Sequence, residues 1–141
     1  MPRLFGLLCA LTGVACASST APRLSYEGHS AIVATSPTVV DAVVTVRNLG
    51  SITANIPAPV CPLRIIAYDT AERDDEPLWA SSGDTCITTL QTRPPIVLGP
   101  GDFYDFSLRQ TLPTTLSGRR VFLSISAIGG RQVPIGQIIV K

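Results

Sequence analysis

The side chains able to do chemistry are few: one histidine and four cysteines in 141 residues. His29 stands in the polar stretch 26–30, Tyr-Glu-Gly-His-Ser. General acid–base and nucleophilic catalysis need a base of suitable pKa beside a nucleophile. No Gly-x-Ser-x-Gly elbow or Ser-x-x-Lys pair surrounds Ser30, Ser81 or Ser82. Asp74, Asp75 and Glu76 are contiguous carboxylates. A calcium loop of the EF-hand kind spaces its ligands and needs a glycine among them, so this run reads as a solvated loop. The glycines sit between strand-like segments and open no helix, which removes phosphate loops and dinucleotide fingerprints. The expectation is a protein without catalytic residues, metal or cofactor.

Cysteine is left as the informative type. Cys9 and Cys16 belong to the apolar run that follows Arg3. One positive charge, about a dozen apolar residues and small residues after them make an export signal. The run is too short for a membrane-spanning helix, which needs about 20 apolar residues. Gly13-Val14-Ala15-Cys16 resembles a bacterial lipobox. That resemblance implies that Cys16 is lipidated, becomes the mature N-terminus and holds the protein to a membrane of the cell envelope. Ala15-Cys16-Ala17 also fits an ordinary signal-peptidase site cut after Ala17, which would release a secreted or periplasmic protein. Both readings stay open. The expected organisation is a signal over 1–17, a tether over 18–22 and one folded domain over 23–141.

Cys61 and Cys86 survive either cleavage. An isolated pair in an exported chain is most simply a disulfide, because oxidising compartments form and keep such bonds. Closing a loop of about 25 residues adds on the order of 3 kcal/mol by restricting the unfolded chain. Zinc would call for a Cys-x-x-Cys pair or nearby histidine, and the chain has neither beside these residues.

Loss of Arg3 with the signal leaves basic and acidic side chains in equal number. Such a balance excludes the basic excess that draws nucleic acid or an anionic surface. The distribution is uneven, with five acids around Arg73 between Asp69 and Glu76. From Phe106 onward Arg109, Arg119, Arg120, Arg131 and Lys141 have no acidic companion. Charge runs of this kind are solvated faces or loops unless a partner covers them.

About 120 residues beyond the signal suffice for one hydrophobic core. Their apolar periodicity is two, with β-branched residues between Gly and Pro punctuation, which predicts strands. Val40, Ala42, Val44 and Val46 share one face of the clearest strand, opposite Asp41, Thr45 and Arg47. A turn at Asn48-Leu49-Gly50 leads to the segment 51–56. PLRIIAYD and PLWAS predict a hairpin with Trp79 near Tyr68. A further strand is expected over 86–92, then a tight turn at Leu98-Gly99-Pro100-Gly101. Strands over 102–110, 119–127 and 136–141 complete the pattern. The 102–110 strand aligns Tyr104, Phe106 and Leu108. Seven or eight short antiparallel strands predict an all-β, two-layer sandwich, with a small barrel as the second choice.

Three of these segments together resemble the BsuPI-type proteinase-inhibitor domain of bacterial proteins. VVTVRNLGS is similar to its strand ending before a polar turn. LRIIAYD with PLWASS is similar to its Trp-bearing hairpin, and VLGPGDFYDFSL to its Pro-Gly turn and aromatic strand. The resemblance runs from Val39 to Ala127 and implies an immunoglobulin-like β-sandwich that inhibits a protease by occlusion. An inhibitory loop would then be Asp69 to Pro77, inside the Cys61–Cys86 loop, with Arg73 filling an acidic specificity pocket. The alternative is a lipid-anchored envelope module that binds another protein or supports surface architecture. In that case the strand from Gly136, with Ile135, Ile138 and Ile139 beside it, could receive a partner strand if its edge is open.

Overall fold

The computed structural model describes residues 21–58, 63–81, 94–128 and 131–141. The expected lipidation site Cys16, the Cys61–Cys86 disulfide and the 86–92 strand lie outside the described residues. Nine strands follow in order: β1 (Leu24–Thr35), β2 (Thr38–Asn48), β3 (Ala54–Ile56), β4 (Arg64–Tyr68), β5 (Trp79–Ala80), β6 (Ile96–Leu98), β7 (Phe103–Thr111), β8 (Arg120–Ile128) and β9 (Arg131–Ile139). A single 3-10 turn, Thr114–Leu116, separates β7 from β8. The fold is all-β, as the periodicity predicts. Among the described residues the strand count is nine, where seven or eight were expected.

All pairing is antiparallel, in sheets ordered β1-β2-β7, β3-β6 and β5-β4-β8-β9. β2 is the central strand of its sheet. Its alternation places Val40, Ala42, Val44 and Val46 in the core while Asp41, Val43 and Thr45 stay half-exposed. Phe106 of β7 lies opposite Val44 and is also buried. Tyr104, on the same side of β7, meets the Phe106 ring edge-on at 5.0 Å but keeps much of its surface in solvent. The β2 valines share one hydrophobic cluster with Ile65 and Ala67 of β4, Leu123 and Ile125 of β8, and Val133 and Ile135 of β9. Each fully buried aliphatic side chain of this size contributes about 1.5–3 kcal/mol, so this cluster dominates the favourable side of folding.

β1 approaches β9 backbone to backbone. The Ser30 hydroxyl donates to the Ile135 carbonyl at 2.9 Å. A Cβ on Gly28 would clash with the Pro134 carbonyl oxygen and stand 2.8 Å from Ile135 Cγ2. Where β1 meets β9 its inward positions are therefore Gly28 and Ser30, while Leu24 and Tyr26 at its start pack against the core. β9 begins at Arg131, ahead of the expected Gly136, and runs through Pro134. Proline cannot donate to a ladder and is tolerated in this strand because β9 is the last in its sheet order.

The β4–β5 hairpin is present, with Trp79 opposite Ala67 and Ala80 opposite Ile66. Trp79 thus faces the neighbour of Tyr68. Ser81 seals the hairpin: its amide donates to the Ile65 carbonyl at 2.8 Å, and its hydroxyl accepts from the Ile65 amide at 3.0 Å. Among the described residues, no helix is long and apolar enough to cross a membrane.

Candidate functional site

The acidic loop between β4 and β5 contains all three residues expected of an inhibitory loop, Asp69, Arg73 and Pro77. Asp69 and Pro77 are exposed, as are Glu72, Asp74, Asp75 and Glu76. The loop is braced internally, the Thr70 hydroxyl donating to Asp75 Oδ2 at 3.2 Å. Arg119, just before β8, reaches Asp69 Oδ1 at 3.4 Å.

Arg73 points the other way. Its backbone adopts φ 58°, the left-handed region that side-chain-bearing residues rarely occupy. Its Nη1 donates to the Ala71 carbonyl at 2.6 Å, and its guanidinium carbon lies 5.9 Å from the centre of the Phe122 ring. The Nε is buried without a hydrogen-bond partner. A cation above an aromatic face is held there electrostatically. The loop therefore offers carboxylates to solvent while its one cation is folded onto β8, and Arg73 would have to leave Phe122 to enter a protease pocket.

Strand register fixes where this loop stands relative to the start of the domain. Leu24 of β1 is opposite Asn48, and the Leu49 amide donates to the Arg23 carbonyl at 2.7 Å. The chain therefore enters at the Asn48 end of β2. At the other end, about 30 Å away at a strand's rise per residue, the Thr38 hydroxyl donates to the Lys141 carbonyl and accepts from the Lys141 amide, each at 2.9 Å. Val140 in turn donates to the Arg119 carbonyl at 3.0 Å, and Arg119 meets Asp69. The acidic loop and the entering chain occupy opposite ends of the fold.

A second polar arrangement covers the solvent side of the β1-β2-β7 sheet. Arg109 donates from Nε to Asp41 Oδ1 at 2.5 Å and from Nη2 to Asp41 Oδ2 at 2.6 Å, a two-pronged fork between directly opposed residues. The Arg109 hydrogen bond holds the Asp41 carboxyl below the usual carboxylate range against an opposing desolvation, with a lesser contribution from the Arg109 charge. Thr45 donates to Asp105 Oδ1 at 2.6 Å, and the Arg47 guanidinium lies 5.2 Å from the Phe103 ring centre. Asp41, Val43, Ser107 and Arg109 line a shallow open depression there. His29 sits opposite Val43 on the exposed side of β1. Among the described residues, no three His, Cys, Asp or Glu side chains gather closely enough to hold a metal ion. Residue alternation marks Asp41 as solvent-facing in the sequence. Its pairing with Arg109 needs a register that only the folded chain provides.

No protein-family model and no curated protein matches the chain. Among solved structures, the chain is similar at 16% identity to a Bordetella pertussis protein assigned as ApaA, the match covering 84% of this chain and 90% of that one at a TM-score of 0.36.

Proposed function

We propose that the chain is an exported, noncatalytic immunoglobulin-like β-sandwich, tethered to the cell envelope through lipidated Cys16, that binds a protein partner with the end distal to its tether. The observation that carries this reading is the placement of the acidic loop at the opposite end from Arg23. A tethered domain presents its far end to the surroundings, and here that end displays exposed Glu72, Asp74, Asp75 and Glu76. Clustered carboxylates steer a basic surface into register more than they add affinity. The open, shallow depressions of the fold suit a macromolecular partner better than an enclosed small molecule. The test is site-specific photo-crosslinking in the producing bacterium, with the reactive group at Glu72 and, as a control, on the half-exposed β2 position Val43. One discrete adduct from Glu72 supports the reading. Adducts from Val43 alone would overturn the assignment of the contact to the distal end.

Protease inhibition is the form of binding that the BsuPI-type resemblance implies, and the bracing of the loop favours it, since occlusion requires a loop that resists being shaped into a substrate. Arg73 is not its specificity residue in this reading, because the guanidinium rests on Phe122. Titration of purified protein against a panel of serine and cysteine proteases decides the matter. Stoichiometric inhibition that survives Arg73→Ala supports occlusion by the carboxylate-bearing loop, whereas indifference of every protease removes inhibition and leaves binding alone.

A further inference from the structure

Four of the exposed large apolar side chains among the described residues stand at the end of the fold where the chain enters. Leu49 is 52% exposed, Ile52 38%, Val97 60% and Phe103 55%. All four are anchored around one fully buried residue, Asn48. Leu49 follows it in the chain. The Asn48 side chain donates to the carbonyl of Ile52 and to that of Leu98, the neighbour of Val97. The Asn48 amide donates to the Asp102 carbonyl, which precedes Phe103. Apolar side chains scattered singly over a surface mean little, but four held about one end of a small domain mark a contact.

The occupant follows from where the chain enters. Arg23 is hydrogen-bonded to Leu49 itself, and the exposed residues Ala21 and Pro22 lead away from this end. Cys16 is six positions before Pro22. Six residues span at most about 20 Å even when fully extended. An acyl chain at Cys16 therefore brings this end, and not the distal one, to the membrane surface. Arg23 and Arg47 are exposed at this end, as is Asp102, whose carboxylate accepts from the Gly99 amide at 2.9 Å.

We propose that Leu49, Ile52, Val97 and Phe103 form a membrane-docking rim that seats the domain on the phospholipid bilayer, tether end down. The inference rests on lipidation of Cys16, which the experiment reads separately. The full chain is produced in a bacterial host as Trp79→Phe with either Phe103→Trp or, at the far hairpin, Thr35→Trp. Intact mass reports the lipid, and the mature protein is placed in vesicles of phosphatidylcholine and phosphatidylglycerol with brominated acyl chains. Lipidated protein whose emission is lost to bromine quenching at position 103 and retained at position 35 supports docking. Lipidated protein quenched at neither position, or equally at both, overturns docking and leaves the anchor intact. An unlipidated mass overturns the anchor, and the docking inference falls with it. Val97→Trp repeats the reading from β6 in case Phe103→Trp disturbs β7, and the unfolding midpoint of each variant confirms that it is folded.

Discussion

The side-chain amide of Asn48 donates to the carbonyl of Leu98 at 3.0 Å across fifty residues of sequence, joining the end of β2 to the turn before β7. The same nitrogen reaches the carbonyls of Ile52 at 2.7 Å and Gly99 at 3.2 Å, while Oδ1 accepts from the Gly50 amide at 2.9 Å. Asn48 is fully buried. Alanine in its place strands buried carbonyls, each of which carries a desolvation penalty. Asn48→Ala is expected to cost about 3 kcal/mol. Urea unfolding measures it, and an unmoved midpoint would show that water replaces the amide at no cost.

Gly28 leaves no room for a side chain beneath the Pro134 carbonyl. Because the obstacle is backbone, relief requires β1 and β9 to separate. Gly28→Ala should therefore destabilise by about 2 kcal/mol or more, and Ser30→Ala, which removes only one hydrogen bond, by about 1 kcal/mol. Thermal melts of the two variants give the order. A Gly28→Ala protein as stable as the parent would refute the close approach.

For the Asp41–Arg109 fork the sign of the pH dependence is fixed by linkage. A carboxylate whose folded pKa is depressed contributes stability above its unfolded pKa and loses that contribution as pH falls through the folded value. Asp41 is such a group, and the Arg109 hydrogen bond is the main cause. In Arg109→Gln its titration midpoint, followed by carboxyl NMR, should rise toward the usual value of about 3.9. Both side chains are well exposed, so the melting temperature at neutral pH should hardly move. An unaltered Asp41 midpoint would mean that the fork is not held in solution.

Ser124 of β8 is fully buried, and its hydroxyl has no hydrogen-bond partner. Removing an unsatisfied buried hydroxyl relieves its desolvation penalty. Ser124→Ala should raise stability by about 1 kcal/mol, read as a higher urea midpoint. A loss of similar size would reveal a partner for the hydroxyl.

The strands legible in the sequence are those whose two faces meet different media. β2, and β7 from Phe106 onward, alternate because one face packs on the core and the other meets solvent, and their periodicity is visible residue by residue. β1 escaped that reading because its inward Leu24 and Tyr26 give way to Gly28 and Ser30, the residues a close backbone approach requires and the ones that resemble a linker. β6 is three residues long and merges into the Leu98–Gly101 turn. At the candidate site, the acidic character of the Asp69–Pro77 loop follows from composition. The inward fold of Arg73 does not, since it depends on Phe122 standing beneath the loop. The Asp41–Arg109 pair is hidden for a related reason: its partners are 68 residues apart, and only register brings them together.

The bond between Ser30 and Ile135 joins the first described strand to the last over 105 residues. Neither half of the chain can close the cluster that β2, β8 and β9 share, because β9 supplies Val133 and Ile135 to it. Contacts of such long sequence separation are paid for in loop entropy before they return anything, which delays folding. A partly emerged chain thus has no native state to fall into. It stays unfolded until almost all of it has emerged, and the strands then close together.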